Sequence, residues 1–154
     1  MARSGRTAEL AARPLVAGTA AGPALVLEAP LSLWGGMAPE TGRVADHHHP
    51  QFGATVTGRV LVMPAGRGSS SSSSVLAEAV RLGTAPLAIL LAEPDEILVL
   101  GALVAEELYG RTCPVLVLPQ AAAGAIATGD HVTVAADGTV TVAEDRGRSP
   151  DRGA

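Results

Sequence analysis

The stretch GRVLVMPAGRGSSSSSSVLAEAVRLG, residues 58–83, changes pattern twice. Val60 to Met63 is continuously apolar, as expected for a strand running into a core. Gly66, Arg67 and Gly68 break that run, and six consecutive serines, Ser69 to Ser74, follow. Val75, Leu76, Ala79, Val80 and Leu82 then recur at the spacing of one helix face, with Glu78 and Arg81 between them and Gly83 as the stop. A serine run taken by itself reads as flexible linker. A linker separates folded units, however, and this run has no spare residues between its strand and its helix. Strand, glycine turn and helix in direct succession make a β/α unit.

The alternation continues on both sides. Upstream, PLVAGTAAGPALVLEAPL reads as two strands, around Leu15 to Ala17 and Ala24 to Glu28, bent at Gly18 and Gly22. LSLWGGMAPETG, with Gly35, Gly36, Pro39 and Gly42 close together, reads as a loop. Downstream, PLAILLA reads as a buried strand, GALVAEELYG as a second helix and PVLVLP as another strand. HVTVAADGTVTV reads as a hairpin turning at Asp137 and Gly138. The fold class is mixed β/α in one domain, residues 13–144, with a flexible N-terminus over 1–12 and a disordered tail over 145–154.

Bulk properties exclude several functions. Of the 154 residues 47% are hydrophobic and only 2% aromatic, with a net charge of −4. That balance lacks the basic footprint and the stacking surface that nucleic acid requires, so no nucleic-acid partner is expected. Every basic residue is arginine, which removes a lysine nucleophile and a P-loop lysine. The lone cysteine, Cys113, closes no intrachain disulfide and holds no metal by itself. The longest apolar runs fall short of a membrane span, and the reading is a soluble cytoplasmic protein.

The serine turn is the best candidate for chemistry. Backbone amides and the dipole of a helix start converge there and favour an anion. Capping accounts for one or two of the serines and leaves the others unexplained. Walker and dinucleotide loops fit poorly, because no GK[ST] is present and a serine, Ser71, stands where a third glycine is needed. A hydroxyl needs a device that stabilises its alkoxide, which Arg67 and the helix amides could supply. The histidines of DHHHP, residues 46–50, alternate in direction and do not converge on one ion, so a single contact through His49 is expected. Trp34, on the WGG loop, reads either as a core plug or as the wall of a pocket.

Taken together, GTAAGPALVL (18–27), PLSLWGGMAPETG (30–42), DHHHPQFG (46–53), residues 58–86 and GALVAEELYG (101–110) resemble the small subunit of aconitase X-type hydro-lyases, over roughly residues 14–143. The resemblance implies a swivelling β/β/α domain similar to the mobile C-terminal domain of aconitase. It implies a large-subunit partner that carries the iron or iron–sulfur cofactor, with none in this chain, and activity only in that heteromer. Ser69 would take the α-proton of a small carboxylate substrate. Arg67, Gly68, Ser70 and Ser71 would hold its anionic group, with Trp34 and His49 as further contacts. The substrate implied is cis-3-hydroxy-L-proline, with phosphomevalonate or a non-catalytic, anion-binding swivel module as alternatives. A homo-oligomer of the isolated chain is expected through the surface meant for its partner, placed as an aliphatic face around Trp34 and Ser69. The family pattern has glycine where Ser72 stands, which would ask Ser72 for a backbone glycine finds easier, and commonly aspartate where Ala38 stands.

Overall fold

The computed structural model describes residues 5–145. Within them the chain forms β1 (Thr7–Ala11), β2 (Arg13–Val16), β3 (Ala20–Val26), the helical turn α1 (Leu33–Gly36), β4 (Met37–Ala38), β5 (Arg43–Val44) and β6 (Val60–Met63). Helix α2 (Ser72–Leu82), β7 (Ala88–Leu91), helix α3 (Glu96–Tyr109), β8 (Val115–Val117), the turn α4 (Gln120–Ala123), β9 (His131–Val134) and β10 (Thr139–Ala143) complete it. Eight strands join in the order β1-β10-β9-β3-β6-β7-β8-β2, and β4 pairs with β5 apart.

Strands β3, β6, β7 and β8 are parallel, and the flanking pairs are antiparallel. Strand β3 belongs to both parts: Ala20–Pro23 pair with β9, and Ala24–Val26 pair with β6. Gly22, a residue before the changeover, is tightly approached, since a Cβ there would run into the Leu87 side chain. Gly22 therefore lies inside a strand rather than at a bend between strands. With α2 and α3 as a third layer, the architecture is β/β/α, as the resemblance implies.

Side-chain alternation along the parallel strands sorts residues onto two faces. Leu61, Met63, Ile89, Leu91 and Val115 face the helices and pack with Leu76, Ala79, Leu98 and Ala102. Val60, Val62, Ala88, Leu90 and Leu116 face the other way and share a core with Val132, Val134, Val140 and Val142 of the hairpin. Each fully buried aliphatic side chain contributes roughly 1.5–3 kcal/mol. A nearly aromatic-free chain is thus held by two aliphatic cores rather than one.

Several elements differ from the sequence expectations, among them the expected loop LSLWGGMAPETG, which holds the turn α1 and strand β4. Thr7–Ala11, expected to be flexible, pair with β10 from Thr7↔Ala143 to Ala11↔Thr139. Alanine and glutamate have low strand propensity, so it is the open edge of β10 that orders them. Helix α3 starts at Glu96, ahead of the GALVAEELYG stretch, because Asp95 caps it. Helix α2 takes in Ser72 to Ser74. Of the expected disordered tail, Asp145 donates its amide to Asp130 Oδ1 at 3.1 Å, and residues 146–154 lie outside the described residues, as do 1–4. No helix among the described residues is long and apolar enough to cross a membrane.

Cys113 is buried, and its thiol reaches the Pro86 carbonyl at 3.5 Å. Burial pushes its pKa up to about 12, so the reactive thiolate is suppressed at neutral pH. An alkylating reagent at pH 8 is expected to leave Cys113 unmodified in the folded chain and to modify it fully in denaturant, read by mass spectrometry. Rapid labelling of the native chain would contradict this burial.

Candidate active site

The loops that follow β3, β6 and β7 all leave from the carboxyl ends of parallel strands, the rim where open α/β sheets place their sites. A bridge between Leu31 and Gly66 continues the β3–β6 pairing beyond the strand ends. It brings the tryptophan loop against the serine turn. Leu31, Leu33, Arg67, Ser69, Ser72 and Asp95 line a small cleft there.

Gly66 and Gly68 set the turn. A Cβ on Gly66 would collide with the Asp95 carboxylate, and one on Gly68 would collide with Ser32 Oγ. Gly68 also has φ +91°, in the region that disfavours side chains. Asp95 holds its place because Oδ1 accepts from the amides of Ile97 and Leu98, both at 2.9 Å. Such a cap is worth about 1 kcal/mol. Asp95 was not singled out by the sequence reading, although Pro94 followed by Asp95 is a recognisable helix start.

Ser69 is half-buried, and its Oγ accepts the Ser71 amide at 3.1 Å. The Ser72 amide donates to the Ser69 carbonyl at 3.0 Å, and helix α2 begins directly behind. An amide donor and the positive end of a helix dipole thus bear on one hydroxyl oxygen, and both favour negative charge on it. The Ser71 amide is consequently engaged with Ser69, which leaves the Ser71 hydroxyl as its donor toward a substrate. Ser70 is exposed. Arg67 is exposed, with no side-chain hydrogen bond or ion pair among the described residues, so it is available to an anion rather than bracing the turn.

Trp34 is 58% exposed, which removes the core-plug reading. Its amide donates to Ser72 Oγ at 3.1 Å and its carbonyl accepts from Ser32 Oγ at 3.0 Å. Ser72 has ordinary helical backbone, as no described residue other than glycine has positive φ. The strain expected of a serine in a glycine position is therefore absent. Ala38 lies in β4 opposite Arg43.

His49 does not meet the site. It is 6% exposed; its Nδ1 accepts from the Gln51 amide at 3.0 Å, which leaves the proton on Nε2 to be donated to the Ala29 carbonyl at 3.0 Å. Both ring nitrogens are taken by backbone, so the ring braces its loop instead of contacting a substrate. His47 stacks on Phe52 at 4.4 Å. No group of three or more His, Cys, Asp or Glu among the described residues is placed to hold a metal ion. The expected aliphatic surface does not surround Ser69. It runs along α3, where Leu100, Leu103, Val104 and Leu108 are exposed.

Comparison with known proteins gives a consistent set of relatives. The family described as the aconitase X swivel domain matches residues 9–142. The chain is 55% identical over 106 residues to a cis-3-hydroxy-L-proline dehydratase of Pseudomonas aeruginosa, covering 69% of this chain and 18% of that protein. It is 40% identical over 97 residues to the phosphomevalonate dehydratase small subunit of Methanothermobacter thermautotrophicus, covering 63% of this chain and 74% of that one. Its backbone superposes on the crystal structure of Thermococcus kodakaraensis aconitase X in its holo-form with a TM-score of 0.79 at 33% identity, covering 89% of this chain and 99% of that one. The chain therefore spans under a fifth of the Pseudomonas protein and most of the archaeal subunit.

Proposed function

From the premise that this chain belongs to the aconitase X swivel domain family, we propose that it is the small, serine-bearing subunit of a dehydratase acting on cis-3-hydroxy-L-proline. The observation that carries the substrate is the 55% identity to a protein named for that activity. A second reading, phosphomevalonate, is supported by the 40% identity over 97 residues to a small subunit named for that activity.

In the proposed reaction Ser69 Oγ, as alkoxide, takes the proton on the carbon next to the substrate carboxylate. The C–H electron pair forms the new double bond, and the β-hydroxyl departs with its own C–O pair. The Ser71 amide and the start of α2 lower the cost of the alkoxide, which a hydroxyl alone would not reach at neutral pH. Arg67 meets the anionic group of the substrate, with Ser70 as a further donor and Gly68 keeping the turn open. Trp34, exposed on the adjoining loop, is a further contact for the substrate. Any iron or iron–sulfur cofactor is assigned to the large subunit, since the described residues offer it no ligand group.

The partner in this proposal is a large subunit seated in part on the apolar stripe of α3. Leu100, Leu103 and Leu108 are 54, 48 and 65% exposed, an arrangement monomers seldom leave uncovered. The same stripe is where copies of the isolated chain would meet. Co-expression with the large subunit, followed by dehydration assays with both substrates, tests the reading. Turnover of cis-3-hydroxy-L-proline at least tenfold faster than phosphomevalonate is the expected result. The opposite preference moves the assignment to the second substrate, and an assembled complex inert with both leaves a non-catalytic, anion-binding module.

A further inference from the structure

Ser72 is one of only three polar or charged side chains among the described residues that are buried, at 4% exposure. Capping does not explain it, since its recorded bond is not to its own helix. Its Oγ accepts the amide of Trp34, which lies 38 residues earlier on a different loop, at 3.1 Å. Ser32 Oγ meanwhile donates to the Trp34 carbonyl at 3.0 Å. Both backbone polar atoms of Trp34 are thus held by serine hydroxyls, one from its own loop and one from the first turn of α2. Ser32 in turn abuts Gly68, where no Cβ fits.

We infer that Ser72 is a positioning residue that locks the tryptophan loop to the Ser69 turn and so fixes where the exposed Trp34 indole meets the substrate. The local backbone makes such a lock necessary. Trp34 has φ −70° and ψ 113°, and Gly35 has φ +75°, so the short α1 turn is broken at its second residue, and the backbone bond that closes it, from the Met37 amide to the Leu33 carbonyl, does not engage Trp34. The Trp34 ring is largely in solvent and contributes little packing of its own. A hydrogen bond from the rigid start of α2 supplies what the loop lacks. Removing the acceptor forfeits this part-buried bond and frees the Trp34 amide to exchange.

The inference rests on the proposed dehydratase reading only for its kinetic consequence. In the isolated full chain, Ser72→Ala is expected to speed hydrogen exchange of the Trp34 amide more than tenfold. The amide of Leu76, deeper in α2, should keep its protection. The single tryptophan also makes acrylamide quenching of its emission a direct report on the loop. In the assembled complex the same variant is expected to raise KM about tenfold with kcat within twofold, the split expected when ground-state and transition-state contacts are lost alike. An unchanged Trp34 exchange rate in Ser72→Ala overturns the inference, as does faster exchange with KM unaltered. If Ser72→Ala does not fold, the native chain decides: a Trp34 amide exchanging at the rate of a free peptide rules the lock out. If the wild-type complex dehydrates nothing, the function reading fails, and the exchange measurement still decides the lock.

Discussion

Ser69→Ala is expected to lower kcat of the assembled complex by about 10²–10⁴-fold, the usual contribution of a positioned general base. Assembly and thermal stability should change little. The Ser69 side chain is half-buried and its recorded bond is the one it accepts from the Ser71 amide at 3.1 Å. Losing one such bond costs on the order of 1 kcal/mol. Ser70→Ala supplies the comparison: Ser70 is exposed, so its variant should alter KM modestly and leave the proton transfer in place. A Ser69→Ala complex that turns over as fast as wild type would remove the base from this chain altogether.

Gly101→Val is the second large effect, and it arises away from the cleft. Glycine inside a helix costs up to about 1 kcal/mol relative to alanine, so its presence in the middle of α3 needs a reason. A Cβ at that position would stand 2.6 Å from the Ser73 carbonyl oxygen and 3.1 Å from Leu76 Cβ. Helix α3 therefore touches the first turn of α2 with bare backbone, at the turn that presents the serines. A valine there must push the two helices apart, at a cost of roughly 1–3 kcal/mol for overpacking. Displacing the serine turn by about 1 Å can reduce turnover on the order of 10²-fold. Thermal melting should show a loss of several degrees, and the assembled variant should lose activity by more than its stability explains. A variant with wild-type melting and turnover would mean that the helices yield without moving the turn.

Much of this arrangement could be read from the chain. Val60 to Met63 and Ala88 to Leu91 are too uniformly apolar to be anything but buried strands. The period of Val75 to Leu82 fixes the helix, and the absence of linker residues places the serines between them. The β/β/α layering came with the resemblance and not from the pattern, because nothing in residues 20–26 announces that β3 changes partners halfway along. Strand β1 was missed since its order comes from a neighbour's open edge, which no local propensity records.

The serine turn singled out Ser69 and Arg67 as candidates, while the residues that support them were illegible. Asp95 carries a local helix-start signal that was available and overlooked. His49 misled because histidine is read as chemistry. Its two backbone partners, Gln51 and Ala29, only become visible once the loop is folded. Ser72 differs again: as one serine among six, it is set apart by a partner 38 residues away, a contact that belongs to tertiary structure alone.

The placement of every loop of interest on one rim has a consequence for how such domains diverge. The two aliphatic cores lie mainly within the layers, joined from the tryptophan loop by Leu31 and Leu33, while Trp34 itself, the serine turn and the Asp95 cap sit outside the strand ends. Exchanging exposed rim residues such as Trp34, Arg67 and Ser70 therefore leaves the cores untouched, provided that Leu31 and Leu33 are kept. One scaffold can then accompany proteins named for a cyclic amino acid and for a phosphorylated hydroxy acid, with selection acting on a handful of loop positions. Grafting the tryptophan loop and serine turn of one relative onto the sheet of another should carry substrate preference with them.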